Sequence, residues 1–445
     1  MIAHVVPSGS YVISHDNKDV LEAYLGTCVG VTLKDPGVRI GGLFHILLPE
    51  PTGADIPFAP ETYATTGLPL FIQSFCEAGA SRKNLVAAVA GGALMHGVSE
   101  TDLWLDIGGK IAERVNDILQ DEDIRVEQAE TGGMFSCKMM LDTRNLETRI
   151  EPLVPVTAHA SKTTREVSPD EIAAATRSLK PIPQIALRVI RMIGNEDHEM
   201  DDLASEIRQD QVISAKILNL ANSVIMGISP HIDSIERALI VLGERQLFQL
   251  VLSAATDMLY AQGKSGGYSL CKGGIFHHAL ATAMTAYEIS VFTGCGDPDI
   301  TYTAGLLHDI GKAALDQFVA DAPSFFYRSA RDNGMDLCRT EKENFGMSHT
   351  EVGAVLARKW KLPENLVNAI QYHHAPELAP GDKDLVTIVN LADLLLSSFE
   401  VGYQMSGSNT EQLGQRLARL GLSKRDFPVI VDRIPRTIFQ SIMAI

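Results

Sequence analysis

The hydrophobic periodicity of this chain changes once, near residue 155, and a single core cannot serve both patterns. Before that point, short β-rich runs dominate, at residues 11–14, 28–33, 40–48 and 85–90. Runs of this length and composition read as strands. Two helical stretches, near 67–79 and 107–120, interrupt them, so the first part is expected to be an α+β layered domain. Beyond residue 155, apolar residues recur at helical spacing, as at Ile213, Ile217 and Leu220. The stretch between the two, 154–167, is aperiodic and rich in small polar residues, as a linker is. Ser168-Pro169-Asp170-Glu171 then carries a capping box with Pro at the first helical position. Asp233-Ser234-Ile235-Glu236 caps a second helix, expected to run through ALIVLGERQLFQLVLSAA. The expected organisation is a multidomain chain: an α+β layered domain over 1–153, a linker over 154–167, an all-α domain over 168–400 and a helical extension over 401–445.

Composition narrows the function. A length of 445 residues exceeds one ordinary core. The 38 Lys and Arg against 55 Asp and Glu give a formal net charge of −17. Phosphate backbones are bound by clustered basic side chains, so a general nucleic-acid binder is not expected. The six cysteines, Cys28, Cys76, Cys137, Cys271, Cys295 and Cys338, contain no CxxC pair. Neither a disulfide framework nor a zinc knuckle follows from such spacing. The opening MIAHVVPSGS lacks a basic segment followed by an apolar one, and no apolar run reads as long enough to span a bilayer. The expectation is a reduced cytoplasmic protein without membrane insertion.

One hairpin places chemistry. In LGTCVGVTLKDPGVRIGGLFHILLP, Asp35-Pro36-Gly37-Val38 fits a type II turn. Closing the hairpin there sets residue 34 opposite 39 and 33 opposite 40, which brings Cys28 opposite His45. Opposed side chains share a face, so a thiolate–imidazolium pair can form and activate the sulfur. Gly30 and Gly41 on that face would leave room for a substrate. From geometry alone the alternative is an inert buried cysteine beside a satisfied core histidine.

The same segment resembles the chemoreceptor glutamine deamidase family, CheD. The resemblance rests on Leu25-Gly26-Thr27-Cys28, Asp35-Pro36, the strand from Ile40 through His45 to Pro49, Ala90-Gly91-Gly92-Ala93, Asp106-Ile107-Gly108 and Glu130-Thr131-Gly132-Gly133, in that order over residues 2–150. It implies Cys28 as nucleophile and His45 as general base, acting on a glutamine side chain of a methyl-accepting chemoreceptor without a cofactor. Thr27, Gly91, Gly92, Thr131 and Gly132 would lie near the substrate and oxyanion. A CheC-type chemotaxis phosphatase is a further expected partner. The family often has Thr six residues before the cysteine to orient the histidine; this chain has Glu22, which is expected to take that role. Lys138 would substitute for a Gly-Arg pair that the family tends to carry.

Residues 179–256 resemble the HD-related output domain family, HDOD. The resemblance rests on Leu179-Lys180-Pro181-Ile182-Pro183, Ile207-Arg208-Gln209-Asp210, Leu218-Asn219-Leu220-Ala221-Asn222-Ser223 and Ser234-Ile235-Glu236-Arg237-Ala238, and it continues through Gly305 to Lys312. Six of the 13 histidines fall between residues 277 and 374. The order His278, His308, Asp309, His349, His373, His374, Asp393 resembles the metal ligands of HD-type phosphohydrolases. That implies two divalent ions (Fe, Mn or Zn), bridged by Asp309, with Lys312 facing a phosphate. His308-Asp309 is expected inside an apolar helix. The stretch after His374, Ala375-Pro376-Glu377-Leu378, lacks the GYP pattern of cyclic-di-GMP phosphodiesterases. The leading expectation is a glutamine deamidase with an output domain. The alternatives are a non-catalytic signalling adaptor and a metal-dependent nucleotide phosphohydrolase.

Overall fold

The computed structural model describes residues 2–15, 19–52, 59–93, 107–132, 136–152, 169–179, 181–192, 204, 207–208, 210–223, 231–261, 267–268, 273–321, 326, 336–399, 412–423, 425–435 and 438. The chain divides into two compact units, Met1–Val156 and Thr157–Ile445. The expected linker, the Ser168 cap and Cys271 lie outside the described residues.

The N-terminal unit is built from β1 (Ile2–Val5), β2 (Ser10–Ser14), β3 (Asp19–Leu25), β4 (Val29–Asp35), β5 (Ile40–Ile46), α1 (Ala64–Glu77), β6 (Val86–Gly91), α2 (Ile107–Asp121), β7 (Arg125–Thr131), β8 (Cys137–Asp142) and β9 (Glu147–Pro152). The strands form one sheet in the order β1-β3-β8-β9 and a second in the order β2-β5-β4-β6-β7. The second sheet is covered on both faces. Phe44, Ile46, Val31 and Val89 pack against Leu68, Phe71 and Phe75 of α1 and Ile111 and Val115 of α2. Its other face meets the first sheet. Every residue of β5 is therefore buried, which is why that strand reads as a continuous apolar run. In β3, by contrast, Leu21, Ala23 and Leu25 point inward while Glu22 and Tyr24 point away.

The hairpin differs from expectation. Gly30 pairs with His45, and Asp35 pairs with Ile40. Gly37 does not take the positive φ that a type II turn requires; Arg39 does, at 59°. The buried Asp35 carboxylate forces this longer loop. It accepts the N–H of Gly37 at 2.8 Å and that of Ser81 at 3.0 Å. The register moves by two residues, so parity is kept, but Cys28 is diagonal to His45 rather than opposite.

Because β1 and β3 run parallel, the chain leaves the first sheet for the second twice at the same end. Residues 6–9 make one crossing: Val6 donates its N–H to the Glu22 carbonyl and Gly9 donates to that of His45, both at 2.7 Å. Gly26-Thr27-Cys28 make the other.

The C-terminal unit is helical among its described residues. Gly274–Thr293, buried along most of its length, packs against Pro298–Leu307 and Lys383–Ser398. Ser234 caps Ile235–Tyr260 as expected, accepting the Arg237 N–H. Non-helical backbone at Gly243 (φ 78°) breaks that helix, which was expected to run through unbroken. It is also long and apolar enough to cross a membrane by length and composition alone, half of its apolar window being buried. The extension packs into the core through Leu413, Leu417, Phe427 and Ile430.

Gly91 and Gly79 share a φ of 96°, but a Cβ on Gly91 would lie 2.3 Å from the Cys28 carbonyl oxygen, whereas one on Gly79 would meet nothing within 4 Å. Gly79→Ala should cost about 1–2 kcal/mol of backbone strain. Gly91→Ala should cost roughly twice that or more, because the crossing at Cys28 must also shift. Equilibrium unfolding of the two variants checks the ranking, and equal losses would contradict it.

Candidate functional sites

Cys28 is buried at the end of the second crossing, immediately before β4. Its carbonyl accepts the Gly92 N–H at 2.8 Å, the Ala93 N–H reaches the Gly26 carbonyl at 2.9 Å, and Gly132 N–H binds the Gly91 carbonyl at 2.9 Å. Thr131 pairs with Gly91 across the ladder. The expected oxyanion groups thus spend their N–H groups within the fold, Gly92 on the Cys28 carbonyl and Gly132 on that of Gly91. Gly30 and Gly41 leave no vacant space either. A Cβ on Gly30 would collide with Leu25 and Met139, and one on Gly41 with Leu141 and Leu146. These glycines let the two sheets close on each other.

His45 is buried, and both ring nitrogens have partners. Nδ1 donates to the Val6 carbonyl at 3.0 Å, which fixes the tautomer, and Nε2 accepts from the Ser8 hydroxyl at 3.1 Å. Burial pushes the ring pKa down to about 4, partly offset by the Val6 carbonyl. The imidazole is therefore neutral, with its lone pair on Nε2. Glu22 does not orient it. Its side chain projects from the opposite face of β3 and pairs with Lys138 at 2.8 Å. Val6 and Ser8 hold the ring instead. Spacing from Cys28 could not reveal them, since they arrive on the other crossing, 39 and 37 residues from His45.

The second site lies in the helical unit and gathers all seven expected residues. His308 and Asp309 lie not inside a helix but in the turn between Pro298–Leu307 and Lys312–Asp321. The turn lies against Ser348-capped His349–Lys359 so closely that a Cβ on Gly311 would sit 1.9 Å from the His349 carbonyl. His373 ends the helix Glu364–Tyr372, His278 lies in Gly274–Thr293 and Asp393 in Lys383–Ser398.

The ring nitrogens away from the cluster centre are pinned. His308 Nδ1 donates to the Gly305 carbonyl at 2.6 Å, His373 Nδ1 to Ile370 at 2.9 Å, and His349 Nδ1 to Glu341 at 2.7 Å. With Nδ1 so engaged, each ring turns its Nε2 inward. His349 Nε2 lies 3.4 Å from His373 Nε2, 3.2 Å from His374 Nε2 and 3.3 Å from Asp309 Oδ1. His308 Nε2 and Asp309 Oδ1 are buried and make no hydrogen bond of ordinary geometry, although His308 Nε2 lies 3.2 Å from Asp309 Oδ2 and Asp309 Oδ1 lies 3.3 Å from His349 Nε2. Lone pairs facing lone pairs are stable only around a cation or a shared proton, and the donor set suits a divalent metal. His278 Nε2 binds Asp393 Oδ1 at 3.0 Å. Lys312 does not face an open phosphate site. It is buried and donates to Asp309 Oδ2 at 2.6 Å. Without a metal, burial disfavours a charged His308, but Asp309 and Asp393 outweigh this and raise its pKa to about 10. Glu341, eight residues before His349, was not anticipated from the sequence. Both its oxygens accept: Oε2 the His349 backbone N–H at 2.7 Å and Oε1 the Tyr268 hydroxyl at 2.7 Å.

Comparison with known proteins follows the same division. The family description "CheD chemotactic sensory transduction" matches residues 47–152, and "HDOD domain" matches 179–376. The first match begins just past His45. Among named relatives, a probable chemoreceptor glutamine deamidase CheD of Symbiobacterium thermophilum is 36% identical over 137 residues, covering 30% of this chain and 82% of that protein. The protein of the same name from Methanococcus vannielii is 38% identical over 127 residues, 28% of this chain and 80% of that one. A crystal structure from Marinobacter aquaeolei VT8, named for signal transduction, is 16% identical with a TM-score of 0.50 over 82% of this chain and 90% of its own, and so shares the fold. The chain belongs to the CheD family through its N-terminal domain and continues into an HDOD domain.

Proposed function

We propose that the N-terminal domain is a cysteine-dependent deamidase of glutamine side chains on the cytoplasmic region of methyl-accepting chemoreceptors. The observation that carries this reading is the neutral, tautomer-fixed His45, paired with Gly30 two residues from Cys28, in a domain whose relatives are named probable chemoreceptor glutamine deamidases. His45 Nε2 takes the Cys28 thiol proton, and the thiolate attacks the carboxamide carbon. The C–N bond breaks as the imidazolium returns that proton to the leaving ammonia. Water, deprotonated by Nε2, then attacks the thioester, and the C–S bond breaks to give Glu and the free thiol. Val6 and Ser8 act as positioning groups. The protein works in the cytoplasm, where the thiol stays reduced, with a CheC-type phosphatase as a further partner.

The helical domain we read as a metal-binding signalling module. His308 Nε2 and Asp309 Oδ1, buried without a hydrogen bond of ordinary geometry, support this. When bound, a divalent ion would supply charge neutralisation to the buried carboxylates. His308, Asp309, His349 and His373 would hold it, with Glu341, Gly305 and Ile370 fixing the rings. A phosphohydrolase is the weaker reading, because these four side chains are at most 1% exposed.

Mass spectrometry of a chemoreceptor cytoplasmic fragment incubated with the protein should show Gln-to-Glu conversion. Cys28→Ser should abolish it, and His45→Ala should slow it by roughly a hundredfold or more. Unchanged turnover by Cys28→Ser would refute the assignment. Ser8→Ala should lower kcat about tenfold with KM unchanged, the scale of one lost hydrogen bond. Glu22→Ala should stay within about twofold of the parent, as expected for an ion pair on the outer face of the sheet.

His45 also predicts a pH dependence. Its pKa of about 4 in the fold lies below the unfolded value of 6.5. The unfolded chain therefore binds the extra proton first. Stability is complete above 6.5 and falls by on the order of 3 kcal/mol as pH drops toward 4. Ring resonances of histidine-labelled protein should show no titration of His45 between about pH 8 and 5.5. A midpoint near 6.5 would show that the ring is solvated.

A further inference from the structure

The inference concerns Lys312, and it rests on reading the histidine cluster as a metal centre. We propose that this centre holds one ion, bound through Asp309 Oδ1 and the rings of His308, His349 and His373, and that the Lys312 ammonium occupies the place of a second ion on Asp309 Oδ2.

Where one carboxylate bridges a paired centre with an oxygen on each ion, both oxygens must be available to metal. Asp309 has given one of them away. Lys312 Nζ sits 2.6 Å from Oδ2, buried, above the Tyr268 ring at 5.6 Å. Its own backbone N–H is tied to the Asp309 carbonyl at 2.9 Å, which fixes lysine and aspartate in one turn. One oxygen of the second carboxylate is committed as well, while its Oδ2 lies 3.8 Å from His374 Nδ1. Asp393 Oδ1 accepts from His278 Nε2 at 3.0 Å and from the Ser397 hydroxyl at 3.2 Å.

The remaining donors suit a single ion. Oxygen and nitrogen donors about 2.0–2.1 Å from one tetrahedral ion lie roughly 3.3 Å from each other. Asp309 Oδ1 to His349 Nε2 is 3.3 Å, His349 Nε2 to His373 Nε2 is 3.4 Å, and Asp309 Oδ1 to His373 Nε2 is 3.7 Å. His308, Asp309 and His373 also offer atoms within 4.8 Å of one another; the groups His278–His308–Asp393 and His373–His374–Asp393 do so too, but share their histidines with this set or spend Asp393 Oδ1 on His278.

The consequence is a closed centre. Its four ligand side chains are essentially inaccessible, and among the cluster rings His374 is the one partly exposed, at 26%. A closed donor set without an open position is the mark of a structural ion. The ion would stabilise this helical domain and make its folding responsive to metal supply, without hydrolysing phosphate esters.

The test is stoichiometry on the full-length protein. Chelator-treated protein is reloaded with excess Mn²⁺, desalted and measured by elemental analysis. One Mn²⁺ per chain is expected, with the electron paramagnetic resonance spectrum of an isolated ion, and Asp309→Asn should abolish binding. Lys312→Arg should remain at one, whereas Lys312→Met should rise toward two because Oδ2 is released. Two exchange-coupled ions in the parent protein would overturn the proposal, as would a Lys312→Met variant that stays at one. The parent measurement decides even where a Lys312 variant does not fold. No Mn²⁺ or Zn²⁺ in the parent protein would instead refute the metal reading itself.

Discussion

A polar group withdrawn from water must find its partner inside the protein, and both halves of this chain are organised by that requirement. Asp35 meets it by gathering two backbone N–H groups, and in doing so sets the loop length and the register of the central hairpin. His45 meets it with a carbonyl on one side and a hydroxyl on the other. In the helical domain the requirement falls on a whole group of side chains, whose outward nitrogens are satisfied by carbonyls and Glu341 while their inward lone pairs converge.

What the sequence revealed depended on the range over which each feature is encoded. The parity of the β4–β5 hairpin is local, because a period of two survives a shift of two, whereas the expected opposition of Cys28 and His45 gives way to a Gly30–His45 pair. The exact pairing was not legible, because it depends on Asp35 reaching Ser81, 46 residues away. β3, β8 and β9 escaped notice for a related reason. Glu22, Lys138, Arg149 and Glu151 dilute their apolar alternation, and β3 finds its antiparallel partner more than a hundred residues on. The role expected of Glu22 failed on direction. Counting residues from Cys28 locates a position along a strand, but the pleat decides which face it serves.

The histidine cluster was legible for the opposite reason. Histidines and acids are rare inside apolar helices, so their chemistry marks them wherever the chain later brings them together. The states of the groups were not legible. The sequence offers Asp309 as a bridging ligand, and the fold adds a lysine, Lys312, on its second oxygen. Glu341 is an ordinary acid in a polar helix by sequence and becomes significant only through its contact with His349.

Arg416 lies well beyond the span that defines the HDOD match, yet it is buried and grips Glu377 at 2.7 Å and the Asn390 amide oxygen at 3.0 Å, while Asn390 in turn holds the His373 carbonyl at 2.7 Å. The unit of inheritance is therefore longer than the recognisable one. A recombination event that moved residues 179–376 alone into another gene would carry the histidines but leave behind the arginine that anchors the turn bearing two of them. Shuffling of this module between signalling proteins has to respect a boundary drawn by a hydrogen-bond network rather than by sequence similarity.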